Sequence, residues 1–123
     1  MKILMSIHPM HVAKILSGEK KYEYRRKAAK QDVDSLIIYE TTPVKKVVAE
    51  VKIIEVIELP IEELWEETCT RSGISKAFFD EYFDGRSIGY AYRLGEVITY
   101  DSPRELSFYG IKAAPQSFVY LNA

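Results

Sequence analysis

The chain alternates apolar and polar positions in short runs, and most of those runs have the two-residue period of strands. Lys2–Ile7 alternates weakly and predicts a first strand. Pro9 suits the first turn of a helix, where its missing N–H would be unpaired anyway. Val12, Ile15 and Leu16 then share one helical face, and Gly18 is a good C-terminal cap. Lys21–Arg25 predicts a strand with Tyr22 and Tyr24 on one face and Lys21, Glu23 and Arg25 on the other. Leu36–Tyr39, bounded by turn formers, predicts a short buried strand.

Val47–Leu59 is long and rich in β-branched residues. Its apolar positions run Val47, Ala49, Val51, Ile53 and then change phase to Ile54 and Val56, which predicts a β-bulge near Ile53-Ile54. Pro60 opens a helix with Ile61, Leu64, Trp65 and Thr68 or Cys69 at helical spacing, and Gly73 ends it. Ser75 caps a second helix with Phe78, Phe79, Tyr82 and Phe83 inward and Gly85 closing it. Ile88–Tyr100 returns to strand character, with a hairpin near Gly95 or at Asp101-Ser102-Pro103, and Phe118–Leu121 is a last strand. The order β-α-β-β-β-α-α-β-β predicts an α+β fold, a small β-barrel with short helices capping its ends. No repeat or linker interrupts it, so residues 1–123 read as a single domain.

Charge adds a direction to this pattern. The net charge of −1 argues against coating nucleic acid by bulk electrostatics. Residues 14–30, however, hold seven of the 17 basic side chains against Glu19 and Glu23, and residues 50–84 hold ten acids against three bases. One region is basic and another acidic, and the acidic one is a candidate surface for a protein partner. No apolar run is long enough for a spanning helix, so no membrane partner is expected. The apolar stretch before His8-Pro9 is too short for a signal-peptide core. Cys69 is the only cysteine, and a reducing cytoplasm is the expected setting. Its apolar helical surroundings predict a buried, inert thiol.

The candidate chemistry lies in Gly18 to Arg25. Gly18 allows close backbone approach, Lys20 offers a point charge, Glu23 an acceptor and Arg25 a fork that matches phosphate. A solvated strand face with ordinary ion pairs is the other reading of the same run. Tyr39, Thr41, Thr42 and Lys45 follow a buried strand and offer stacking, hydrogen bonding and a cation, or simply turn chemistry. His8 and His11 bracket a helix start, too few ligands for a metal, so neither metal nor cofactor is expected and His8 reads as a helix-start residue or a pocket wall. Tyr22, Tyr24, Tyr90 and Tyr92 alternate on strands, and either set is a candidate stacking platform. Gln116 reads a base edge or satisfies backbone groups.

The run Ile15-Leu16-x-Gly18-x-Lys20-x-x-Glu23-x-Arg25 resembles the signature of ASCH domains. Two further blocks, Ile38 to Val48 and Ala114 to Tyr120, resemble later blocks of that family in the same order. The resemblance implies a PUA-like β-barrel with a cleft where Lys20, Glu23 and Arg25 meet residues of the second block, Tyr39, Thr41 and Lys45 among them. It implies RNA or a nucleotide-like ligand, in transcription, translation or RNA processing. Some small bacterial relatives are amidohydrolases acting on acetylated cytidine, with a threonine nucleophile at the position matching Glu23, a lysine matching Lys20 and a distant glutamate. Here the nucleophile position is Glu23, and Ser72-Gly73-Ile74 stands near the place of the distant glutamate. The resemblance therefore favours binding. If the domain is an enzyme, Lys20 and Glu23 are the catalytic candidates, with Glu23 activating water.

Overall fold

The computed structural model describes residues 1–121. Its elements follow the predicted order: β1 (Lys2–Ile7), α1 (Pro9–Ser17), β2 (Tyr22–Arg25), β3 (Ser35–Glu40), β4 (Lys46–Pro60), α2 (Ile61–Thr68), α3 (Lys76–Tyr82), β5 (Ile88–Arg104) and β6 (Phe118–Leu121). Short 3-10 turns occupy Cys69–Arg71 and Leu106–Tyr109. The six strands form one mixed sheet in the order β2-β5-β4-β3-β1-β6, and among the described residues only the β1–β3 pair is parallel.

The predicted barrel is not closed. β2 and β6 are the two edges of the sheet, and among the described residues no ladder joins them. Both are four residues long, as edge strands often are. Side chains span the gap instead. Arg25 of β2 donates from Nη2 to the Ser6 carbonyl of β1 at 3.0 Å, and its Nη1 lies 3.4 Å from Ser117 Oγ, just before β6.

Alternation sorts the core onto two faces. The inner face, covered by Val12 and Ile15 of α1, gathers Ile3, Met5, Leu36, Ile38 and Val51 with Tyr92 and Leu94. Leu16, expected on the same helical face, is 36% exposed. The outer face holds two clusters. Tyr24 and Ala91 pack against Leu64, Phe79 and Phe83 of α2 and α3, while Leu4, Ile37, Tyr39 and Val47 pack near Leu106 and Tyr109.

The bulge predicted at Ile53-Ile54 is present. Ile53 pairs with Leu94, and the register shifts on both sides of it. Before it Val51 and Ile53 face the inner core; beyond it Ile57 and Leu59 serve the outer cluster under α2. The hairpin expected at Gly95 or Asp101-Ser102-Pro103 does not form. β5 runs unbroken from Ile88 to Arg104, and those turn formers sit at register shifts within it. A bulge gives a turn-forming residue the same freedom without reversing the chain. A Cβ on Gly95 would lie 3.1 Å from Ile54 Cγ1, so the two strands approach closely at the bend.

Candidate functional site

Gly18 ends α1 in the left-handed region, φ +84°, and its N–H donates to the Ile15 carbonyl at 3.1 Å. The chain then turns through Lys20, whose N–H bonds the Lys14 carbonyl at 3.0 Å, into Lys21, whose N–H bonds the Arg71 carbonyl at 2.9 Å. The entry to β2 is thus fixed from two sides.

That turn buries Lys20, which is only 2% exposed. Its Nζ donates to the Ser72 carbonyl at 2.9 Å and lies 4.9 Å from the centroid of the Tyr24 ring. Its stem packs on Gly73, where a Cβ would come within 2.7 Å of Lys20 Cβ. Burial pulls the Lys20 ammonium down to about pKa 8, against the opposing pull of Glu23 and with help from Lys14 and Arg25. Lys20 is therefore a cation that loses its proton near the edge of the physiological range.

Glu23, also buried, faces the inner side of β2 opposite Tyr92. Arg25 donates to its Oε2 from Nε at 3.1 Å and from Nη2 at 2.9 Å. With Ser6 and Ser117 also in reach, the guanidinium fork is occupied by protein groups. Arg25 orients Glu23 and closes the seam of the open sheet while lining the cleft.

Above these residues opens a cleft of about 260 Å³. His8 and His11 from the start of α1, Ile74, Phe78 and Tyr82 from the α3 region, and Gln116 complete it. His11 meets Phe78 edge to face with centroids 5.4 Å apart. His11 Nδ1 is buried without a hydrogen-bond partner, and burial, then the nearby Lys20 charge, hold the ring below its ordinary pKa. Both effects favour the neutral form of the His11 ring. The set can accept hydrogen bonds at Glu23, donate from Lys20, and cover a planar ring with Phe78 and Tyr82.

The structure divides the residues singled out from sequence. Lys20, Glu23 and Arg25 line the cleft, and Thr41 reaches its rim, with Oγ1 3.4 Å from His8 Nδ1. Gly18 shapes the turn and is not in the cleft wall. Tyr39 and Lys45 belong elsewhere, to a groove of about 610 Å³ that also contains Lys112. The reason is the period of β3: Leu36 and Ile38 face inward, so Tyr39 faces outward. Lys45 lies in the turn after the cis Thr42–Pro43 bond, at φ +53°. Tyr24 and Tyr92 are buried and Tyr22 and Tyr90 half-buried, so none of the four is an open stacking platform. Cys69 is half-buried, not fully buried as expected.

Phe78 was read as core and is not, while Tyr82 is half-buried, packing on Phe83 with its ring also in the cleft wall. Phe79 and Phe83 are buried, whereas Phe78 is 41% exposed. The signal was in the spacing. Phe78 and Tyr82 form one i,i+4 ridge and Phe79 and Phe83 the next, and two adjacent ridges cannot both point straight at one core.

An open mixed sheet with a polar-floored, aromatic-edged cleft defines a small α+β domain. The sequence matches the model of the ASCH domain over residues 5–116, and the chain belongs to that family. The fold is similar to that of ASCH from Zymomonas mobilis, with a TM-score of 0.89 and 24% identity, covering 98% of this chain and 87% of that one. The sequence is also similar to large ribosomal subunit protein uL22 of Ureaplasma parvum serovar 3, 33% identical over 86 residues, which is 70% of this chain and 28% of that protein. ATP synthase subunit alpha of the same organism is 25% identical over 120 residues, 97% of this chain and 15% of that protein. The chain thus spans less than a third of the length of these curated relatives.

Proposed function

We propose that the domain binds RNA, or a nucleotide-like ligand, by taking one base into the cleft above Lys20 and Glu23. The observation that carries the reading is the pairing of a buried ammonium with a buried, oriented carboxylate beside two aromatic rings. A base edge with a carbonyl and an exocyclic amino group matches that pairing, since Lys20 donates and Glu23 accepts. Phe78 and Tyr82 supply stacking. The net charge of −1 predicts weak binding to nucleic acid in general, so affinity rests on the cleft.

Calorimetric titration with cytidine monophosphate tests this. Lys20→Met is expected to weaken binding more than tenfold. Wild-type affinity is expected to fall as pH rises through about 8, because the ammonium that donates to the ligand is lost there. Equal affinities for wild type and Lys20→Met, or a flat profile from pH 7 to 9, would overturn the reading.

The lowered pKa of Lys20 beside a carboxylate favours a second reading, hydrolysis of an amide on a modified nucleoside. Water would add to the amide carbonyl with Glu23 taking its proton, giving acetate and free cytidine from acetylated cytidine. Absence of cytidine release, or a rate indifferent to Glu23→Gln, removes this role.

A further inference from the structure

We propose, building on the cleft reading above, that Arg26 is the positioning residue of the stacking wall. It lies outside the cleft and holds the Tyr82 ring in the plane that a bound base needs.

Arg26 follows β2 directly and is exposed. An exposed arginine ordinarily pairs with a carboxylate or stays in water. Glu81 and Asp84 flank Tyr82 in the chain, yet among the described residues Arg26 forms an ion pair with neither. Its contacts go to Tyr82 instead. Nε donates to the Tyr82 carbonyl at 2.8 Å, and the guanidinium carbon lies over the Tyr82 ring, 4.3 Å from its centroid. The backbone bond has a local cause. Tyr82 ends α3, and the last carbonyls of a helix have no partner within it. One planar group thus holds both the main chain and the ring of the same residue.

The ring has little else to fix it. Hydroxyl bonds anchor Tyr24, Tyr92, Tyr109 and Tyr120, and among the described residues the Tyr82 hydroxyl has no such bond. The ring meets Phe83 edge to face with centroids 4.9 Å apart. A single edge contact still allows the ring to tilt, and the guanidinium over its face removes that freedom. Stacking on a base depends on the plane of the ring, so the tilt matters for binding. Arg26 is not part of the cleft lining, so it acts on a ligand through Tyr82. A planar guanidinium suits this work better than an ammonium, because it stacks on a ring and donates from its edge at once.

The test is a double-variant cycle on the full chain, with cytidine monophosphate as the calorimetric probe. Tyr82→Leu removes the ring and keeps the carbonyl that Arg26 holds. Arg26→Ala removes the support. Arg26→Ala is expected to weaken binding about fivefold, the reach of one cation–π contact. Tyr82→Leu is expected to weaken it about tenfold, the reach of one stacked base. In the Tyr82→Leu background, Arg26→Ala is expected to change affinity by less than about twofold, because the group it acts through is gone. A residue that merely caps α3 would weaken binding equally in both backgrounds. Equal losses, or no loss in the first background, overturn the proposal. A second readout needs no ligand. Carbon relaxation of the Tyr82 ring, assigned from the signals missing in Tyr82→Leu, is expected to give a lower order parameter in Arg26→Ala than in wild type. An unchanged order parameter overturns the proposal whatever the affinities. If cytidine monophosphate does not bind wild type, the cleft reading falls, and the order parameter alone decides whether Arg26 holds Tyr82.

Discussion

At the scale of single residues, the site turns on how two charges are kept in a nearly dry place. The side chains of Glu23 and Arg25 are 9% and 13% exposed, and the carboxylate takes two bonds from one guanidinium. Such a pair adds little to stability compared with an apolar pair, but removing one partner strands the other charge. Arg25→Ala is therefore expected to lower unfolding free energy by about 3 kcal/mol, read from urea denaturation. Adding Glu23→Gln should restore a large part, because no uncompensated charge remains. Costs that simply add would mean that Arg25 matters for the seam at Ser6 and not for Glu23. The residue types at this site were legible in the sequence, since Lys20, Glu23 and Arg25 stand close together and resemble a family signature. Their burial was not. The same spacing fits a solvated face, and only the packing of the loop around Ser72 on Lys20 encloses the ammonium.

Single elements show which local signals suffice. Pro9 at the start of α1, Gly18 at its end and Ser75 at the start of α3 behave as their chemistry dictates, and the Ser75 hydroxyl accepts the Phe78 N–H at 3.1 Å. Gly95 and Pro103 mislead, because a turn former marks freedom to bend and the partner strand decides how that freedom is used. Gly73 carries information of another kind. It has φ +69°, and its missing side chain makes room for Lys20. Gly85 has φ +79°, with nothing within 4 Å of a built Cβ. Both positions disfavour alanine on the backbone alone, at about 1–2 kcal/mol. Only Gly73→Ala also collides with a neighbour. Thermal unfolding should show Gly73→Ala as clearly the more destabilising of the two, and the Lys20-dependent ligand affinity should fall with it. Equal effects at the two glycines would mean that the Lys20 stem yields freely and that the floor of the cleft is soft.

For the whole molecule, the open sheet raises the question of what holds its edges together. The β2–β3 connection answers it. The backbone N–H of Ala29 donates to the Tyr92 hydroxyl at 2.8 Å, and that of Lys30 to the Tyr120 hydroxyl at 2.6 Å. Tyr92 stands on β5, beside the β2 edge, and Tyr120 on β6, the opposite edge. One loop is thus pinned at both margins, where a closed barrel would have a ladder. Sequence showed both tyrosines but gave no means of pairing a hydroxyl with an amide sixty or ninety residues away. Each bond contributes about 1 kcal/mol. Tyr120→Phe should therefore cost about that much and speed amide exchange at Lys30 and Gln31, whose N–H also lies 3.3 Å from the Tyr120 hydroxyl. Tyr92→Phe should do the same at Ala29. Because the two bonds hold one loop, releasing either loosens the other, and the double variant should lose less than the sum of the singles. Strictly additive losses with exchange changed only at the mutated anchor would show two independent contacts. Sub-additive losses, with exchange rising along the loop from either end, would show that this connection is the clasp that gives an open sheet the stability of a closed one.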